Sequence, residues 1–501
     1  MSSITFINAL LVDKPGSTYT VVVSNGHVTS ISPSTPTSTE GEVVDLESKR
    51  YLGPSLVDAH THFTAWTLNR TRVDLSKATS AKDAVQMMKD AAAKEGGDST
   101  APLVGRDFRV GKWPDIGDMT KENLDTVAPG RPVALIAGDL HSIWLSSAAL
   151  HFVGVDPLGE SGVLLEKASF DAIGVLNDLR EEALFPLIQA SAKAAAARGV
   201  TQIVDLEMKH NIPNWISRVA KGFDTLRVDV GMYTEHLDDA MSRGLKSGDE
   251  VPGGEGLLTV GPYKIITDGS LGARTAFCCD PYPGTKDHGL WIYPNTELAS
   301  MLAFGTSHSF KLAVHAIGDE ANSRTLAAFA ALDPPPLPGS SIEHAQMLLP
   351  SDFSTFGKLG LIASIQPEHL LDDIELADRF WEGRTSRAFP YRSLIDGGAK
   401  IRMGSDCPVA PLEPWGAMAA GVSRERQGEE GLGGWHPEQA LSHREAYEGS
   451  TWSGRASIEV GDVADLCVTN GDPLAASAKE LRAMVVVGTL LEGRWTHREG
   501  I

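Results

Sequence analysis

Val57-Asp58-Ala59-His60-Thr61-His62-Phe63 carries the reading on which the fold turns. Residues 55–61 have β-strand character, and side chains alternate along a strand, so His60 and His62, two positions apart, share one face. Two imidazoles held that close suit a common cation better than two neighbouring protonated rings. A single histidine at a strand end has an ordinary structural explanation as a hydrogen-bonded residue. The pair therefore gains meaning from what stands at the other strand ends.

Working outward, apolar β-rich runs recur at residues 200–205, 227–233, 263–267, 311–316, 341–345, 361–366 and 399–405. With the first they make eight, the number that closes a parallel barrel. Helical stretches at 81–94, 171–198 and 298–306 fall between strands, as crossover connections require. The gap between the first and second strands is far longer than one helix, which predicts an insertion at about 70–180 containing another strand at 132–137. Residues 4–12, and 20–31 with an Asn25-Gly26 hairpin turn, open the chain in β structure, and runs at 464–468, 484–487 and 490–495 close it the same way. The expected architecture is an α/β protein: a (β/α)₈ TIM-type barrel over 55–450, flanked by a small β-sandwich built from residues 1–54 and 451–501.

Barrel enzymes place their chemistry at the C-terminal strand ends. There the fourth strand carries Lys264, the fifth His315, the sixth His344 after Glu343, and the eighth is followed by Asp406. Neutral imidazoles and a carboxylate suit zinc and similar divalent ions. Lys264 cannot coordinate as an ammonium; it serves as a ligand only after carboxylation by carbon dioxide, and otherwise pairs with Asp268 or another carboxylate. Glu207, ending the second strand segment, is the competing ligand.

The chain resembles the amidohydrolase superfamily, in its amidohydrolase 3 or YtcJ-like branch, which includes N-substituted formamide deformylase. The resemblance rests on residues 57–63, Asp139-Leu140-His141-Ser142, the run from Lys264 through Asp268-Gly269-Ser270 to Arg274-Thr275-Ala276, Val314-His315-Ala316, Ile342-Glu343-His344, Ile365-Gln366-Pro367 and Gly404-Ser405-Asp406. It implies a metal-dependent hydrolase with two divalent ions, zinc being expected. His60, His62 and Asp406 would hold one ion and His315 with His344 the other, with carboxylated Lys264 spanning both. Asp406 is the expected proton acceptor from a metal-activated water and donor to the leaving nitrogen. His141 is expected to face the oxyanion; Arg274, Trp113, Arg106 and His369 are candidates for substrate contact, with loop packing the alternative for the tryptophan.

The substrate implied is a small molecule with an amide-type C–N bond, an N-substituted formamide or an N-acyl amide. A cyclic amidase or deaminase on the same centre, and a catalytically silent scaffold, remain alternatives. The scaffold predicts missing ligands, and none is missing. A formal net charge of −21 argues against nucleic acid or an anionic membrane as partner. Four cysteines without CxxC spacing, and no basic-then-apolar start, fit a reducing, cytoplasmic setting. A homodimer is left open.

Overall fold

Eight parallel strands order themselves in space as they do along the chain. In the computed structural model, which describes residues 3–33, 41–95, 101–109, 113–138, 140–159 and 161–501, they are β1 (Leu56–Thr61), β2 (Val200–Asp205), β3 (Arg227–Met232), β4 (Leu258–Ile266), β5 (Leu312–Ala316), β6 (Ser341–His344), β7 (Ile362–Ile365) and β8 (Lys400–Met403). Every residue of β1, β2, β5, β6 and β7 is buried, as expected for a parallel sheet covered on both faces. β4 begins at Leu258, earlier than its apolar run suggests, because Gly261-Pro262 looks like a turn in sequence. Gly261 in fact lets β4 lie against β3: a β-carbon there would meet the Val230 carbonyl carbon at 2.7 Å.

The ring is nearly closed. Among the described residues no regular ladder joins β8 to β1, and the two meet instead just beyond β8. Asp406 N–H donates to His60 O (2.7 Å) and His62 N–H to Cys407 O (2.8 Å). Asp58 braces the same seam, its Oδ1 accepting from Ser405 N (2.9 Å) and His60 N (3.2 Å). Gly404 permits the approach, since a β-carbon on it would lie 2.6 Å from His60 N.

Both termini build one mixed sheet beside the barrel. Tyr51–Pro54 pairs antiparallel with Leu466–Thr469, joining the N-terminal strands to the C-terminal ones. Ile4–Leu11 is flanked on one side first by Glu42–Asp45 and then by Tyr51–Pro54, both parallel, so the sheet forks there. Its apolar core includes Phe6, Leu11, Val21, Val23, Leu466 and Leu490. Asn25 (φ 51°) and Gly26 (φ 80°) make the tight turn between Lys14–Ser24 and His27–Ser32, both in the left-handed region that such hairpins require. The β domain is fastened to the barrel by Ser55 N–H donating to Asp465 O (3.0 Å) and Thr489 Oγ1 donating to Ala196 O (2.7 Å).

Residues Thr64–Ile188 form a compact unit of their own. Its five-stranded sheet contains Val133–Ala137, the extra strand expected there. Alternation along that strand sends Val133, Leu135 and Ala137 into one apolar cluster and Ala134 and Ile136 into another, so both faces are covered. The expected helix over 171–198 is two, Lys167–Leu176 and Glu181–Ala196. The first ends at Asn177, whose side-chain carbonyl accepts from Arg72.

Candidate metal centre

His60 and His62 fall at alternate positions of one segment and turn to the same side. His60 Nε2 and His62 Nε2 each lie 3.3 Å from Asp406 Oδ1. His60, His344 and Asp406 bring one donor atom apiece within 4.8 Å of one another, and all three are buried. The expected partition of ligands put His344 with His315 instead. The imidazoles of His315 and His344 do pack at 4.4 Å between centroids, but His315 Nε2 faces Asp268 Oδ1 and Gly269 O, both at 3.3 Å. Its Nδ1 is thus the nitrogen left for coordination.

Two ligand candidates sit on left-handed backbone, His344 (φ 73°) and Asp406 (φ 55°). Such conformations are costly for non-glycine residues and persist where the surroundings over-determine them, commonly at functional sites. At β6 the result is tangible. Strict alternation would send Glu343 and His344 to opposite faces, yet Glu343 Oε2 is 2.6 Å from His60 Nδ1 and the His344 ring is 5.1 Å from that of His60.

Charge states follow from burial and neighbours. Burial, then the Lys264 charge, presses His60 down to about 4 against the pull of Asp406 and Glu343. Burial and His315 hold His344 well below the ordinary histidine range. Both rings are therefore neutral near pH 7, the state a metal ligand needs. Burial opposes the Asp406 charge, but His60, His62 and His344 outweigh it and keep the carboxyl ionised. For His62 burial is likewise outweighed, by Asp406 and Glu207, and its affinity for a proton rises. Glu343, despite burial, is brought to about 2 by His60 and Lys264.

Lys264 is 3% exposed, and burial lowers its affinity for a proton. Its Nζ lies 3.3 Å from His60 Nε2, and among the described residues no carboxylate comes within ion-pairing distance. Asp268, the alternative partner, is occupied by the N–H groups of Ile317 (3.0 Å), Gly318 (2.9 Å) and Phe277 (2.9 Å). Glu207 is 8% exposed and accepts from Met208 N at 3.2 Å. His369 Nε2 is 3.8 Å from Asp406 Oδ2. Arg274 is exposed, with its guanidinium 5.7 Å from the Phe380 ring centre.

The donor set fits a divalent ion. His344 Nδ1 is buried without a hydrogen-bond partner among the described residues, an unusual state for a polar atom and one that coordination would relieve.

Three expected site residues belong to the inserted unit. His141 Nδ1 lies 2.9 Å from Glu166 Oε2, with its ring against Phe170. Arg106 pairs with Asp107 and, at 3.4 Å, with Asp74. Trp113 is 4% exposed, stacks on Phe108, and its indole N–H donates to Ala78 O (3.0 Å). Asp139, quoted beside His141, is outside the described residues.

Sequence reasoning did not assign roles to Glu343, Asp58 or Gly404. Asp58 carried a usable signal, sharing the His60 and His62 face; Glu343 did not, because alternation misplaces it.

The amidohydrolase family model matches residues 42–497. The chain belongs to the amidohydrolase family. Protein LONG AFTER FAR-RED 3 of Arabidopsis thaliana is 28% identical over 88% of this chain and 82% of its own. Putative amidohydrolase YtcJ of Bacillus subtilis (strain 168) is 26% identical over 91% of this chain and 90% of its own. N-substituted formamide deformylase of Arthrobacter pascens is 25% identical over 94% of each chain. An uncharacterized metal-dependent hydrolase from Pyrococcus horikoshii shares the fold, with TM-score 0.78 and 23% identity over 95% of this chain and 99% of that one. No helix of the described residues in this amidohydrolase is long and apolar enough to cross a membrane.

Proposed function

We propose that this amidohydrolase cleaves an amide-type C–N bond of a small molecule, an N-substituted formamide or N-acyl amide, with two divalent ions, zinc by preference. The observation that carries the reading is the buried His60, His344 and Asp406 donor triplet with His62 and Lys264 at its edge. Bound divalent ions would lower the pKa of a water toward about 7 and polarise the substrate acyl oxygen.

The protein's own part is positional and protonic. Asp406 keeps an ionised carboxylate between His60 and His62 on Oδ1, with His369 on the side of Oδ2. It accepts the proton as water attacks the acyl carbon and returns it to the nitrogen as the C–N bond breaks, giving acid and amine. Lys264 is suited to carboxylation: its amine would attack carbon dioxide, forming one N–C bond as one C–O π bond breaks and releasing one proton, and the resulting carbamate would supply oxygen donors to the ions. Glu207 would supply the carboxylate donor in its place if Lys264 stays an amine. His369, whose Nε2 is 3.8 Å from Asp406 Oδ2, would contact the acyl group, and Arg274 the outer part of the substrate. His141, Arg106 and Trp113 carry no part of this proposal. We place the enzyme in the cytoplasm, with a homodimer as its working assembly.

The test is metal analysis of purified protein together with a product screen on formamides, N-acyl amines and cyclic amides. Free acid plus amine, with about two ions per chain, supports the reading. Ammonia release or ring opening alone moves the activity to a deaminase or cyclic amidase, and a metal-free inert protein overturns it. Asp406→Asn is expected to cut turnover about 10²- to 10⁴-fold.

A further inference from the structure

Two buried carboxylates touch the far nitrogen of a candidate ligand, and they differ in what else they do. Asp268, opposite His315, accepts three backbone N–H groups from loops above β4 and β5, so removing it would loosen those loops along with the ligand. Glu343 has one other hydrogen-bond partner among the described residues, the Ser341 hydroxyl on its second oxygen. Its remaining oxygen is committed to His60 Nδ1 at 2.6 Å, and the residue is 2% exposed.

An ionised carboxylate only accepts hydrogen bonds, and a neutral imidazole carries one N–H. Contact with Glu343 therefore fixes the His60 proton on Nδ1 and leaves the lone pair on Nε2. That is the nitrogen 3.3 Å from both Asp406 Oδ1 and Lys264 Nζ. Ser341 holds the carboxylate from the same strand two residues back, so the chain Ser341, Glu343, His60 runs from β6 across to β1.

Resting on the metal centre proposed above, we infer that Glu343 is a positioning residue that sets the tautomer and ring orientation of His60 for metal capture. Partners of this kind set metal affinity by about 10- to 100-fold. The carboxylate also leaves His60 the more basic donor, which a neutral amide would do less well.

The experiment measures zinc affinity by competition with a fluorescent chelator, together with the melting temperature of the metal-stripped protein and histidine ¹⁵N resonances. Glu343→Leu is expected to lose about 10- to 100-fold in zinc affinity, and to move His60 from a single Nδ1–H tautomer to a mixture. Glu343→Gln, whose amide oxygen still accepts from Nδ1, is expected to keep the tautomer and recover part of the affinity. Wild-type zinc affinity in both variants overturns the inference, as does an affinity loss matched by an equal loss of metal-free melting temperature with the tautomer unchanged. Wild-type protein that binds no zinc overturns the metal centre itself, and is thereby distinguished from failure of the Glu343 role.

Discussion

Gly404→Ala should disable the site without replacing a ligand. The added methyl would sit 2.6 Å from His60 N, 2.8 Å from His60 Cβ and 3.1 Å from Asp58 Oδ1. Ordinary contact begins near 3.4 Å, so the segments leading out of β8 and β1 must part by about 0.8 Å, the difference between 3.4 and 2.6 Å. Metal–ligand distances tolerate only about 0.2 Å. The neighbours are backbone and a braced carboxylate, so strain of about 1–3 kcal/mol is expected. Because the seam carries Asp406 on one side and His60 and His62 on the other, a misplacement approaching 1 Å should lower turnover about 100-fold. The assays are urea unfolding of metal-stripped protein, zinc affinity and kcat. A variant that unfolds, binds zinc and turns over like wild type would refute the argument that the β8–β1 contact sets ligand geometry.

Other outcomes are expected elsewhere. Gly174, inside the helix Lys167–Leu176, has nothing within 4 Å of a built β-carbon and no positive φ, so Gly174→Ala should stabilise the inserted unit by about 0.5–1 kcal/mol, read as slower local proteolysis. Burial raises Asp229 from 3.8 to about 6. A carboxyl raised on folding contributes stability at low pH that is lost as pH climbs from its unfolded value through about 6. Asp229→Asn should therefore gain up to about 3 kcal/mol on wild type between pH 4 and pH 7 in denaturant unfolding. Parallel stability curves for the two proteins would refute this.

The barrel was legible because parallel strands buried on both faces leave continuous apolar runs, as β1, β2, β5, β6 and β7 do, and each of the eight strands overlaps a run read from the sequence. Sequence could not show that the eighth and first strands join through Asp406, Cys407, His60 and His62 rather than through a ladder; that depends on Gly404 and on a side-chain brace from Asp58. The HxH pair was legible because period-two alternation is local. Glu343 was not, because the left-handed turn at His344 and Ala345 breaks alternation at the point where the acid and the ligand converge on His60. The helix expected over 171–198 failed for a similar reason: the break follows Asn177, held by Arg72 from a distant part of the chain.

The most direct measurement is anomalous diffraction from zinc-loaded crystals, which locates each ion against its donors. The account predicts an ion bounded by His60 Nε2, His344 and Asp406, with a second beside His315 Nδ1. Zinc peaks elsewhere with these side chains unchanged, or no peak at all in protein that still hydrolyses amides, would contradict it.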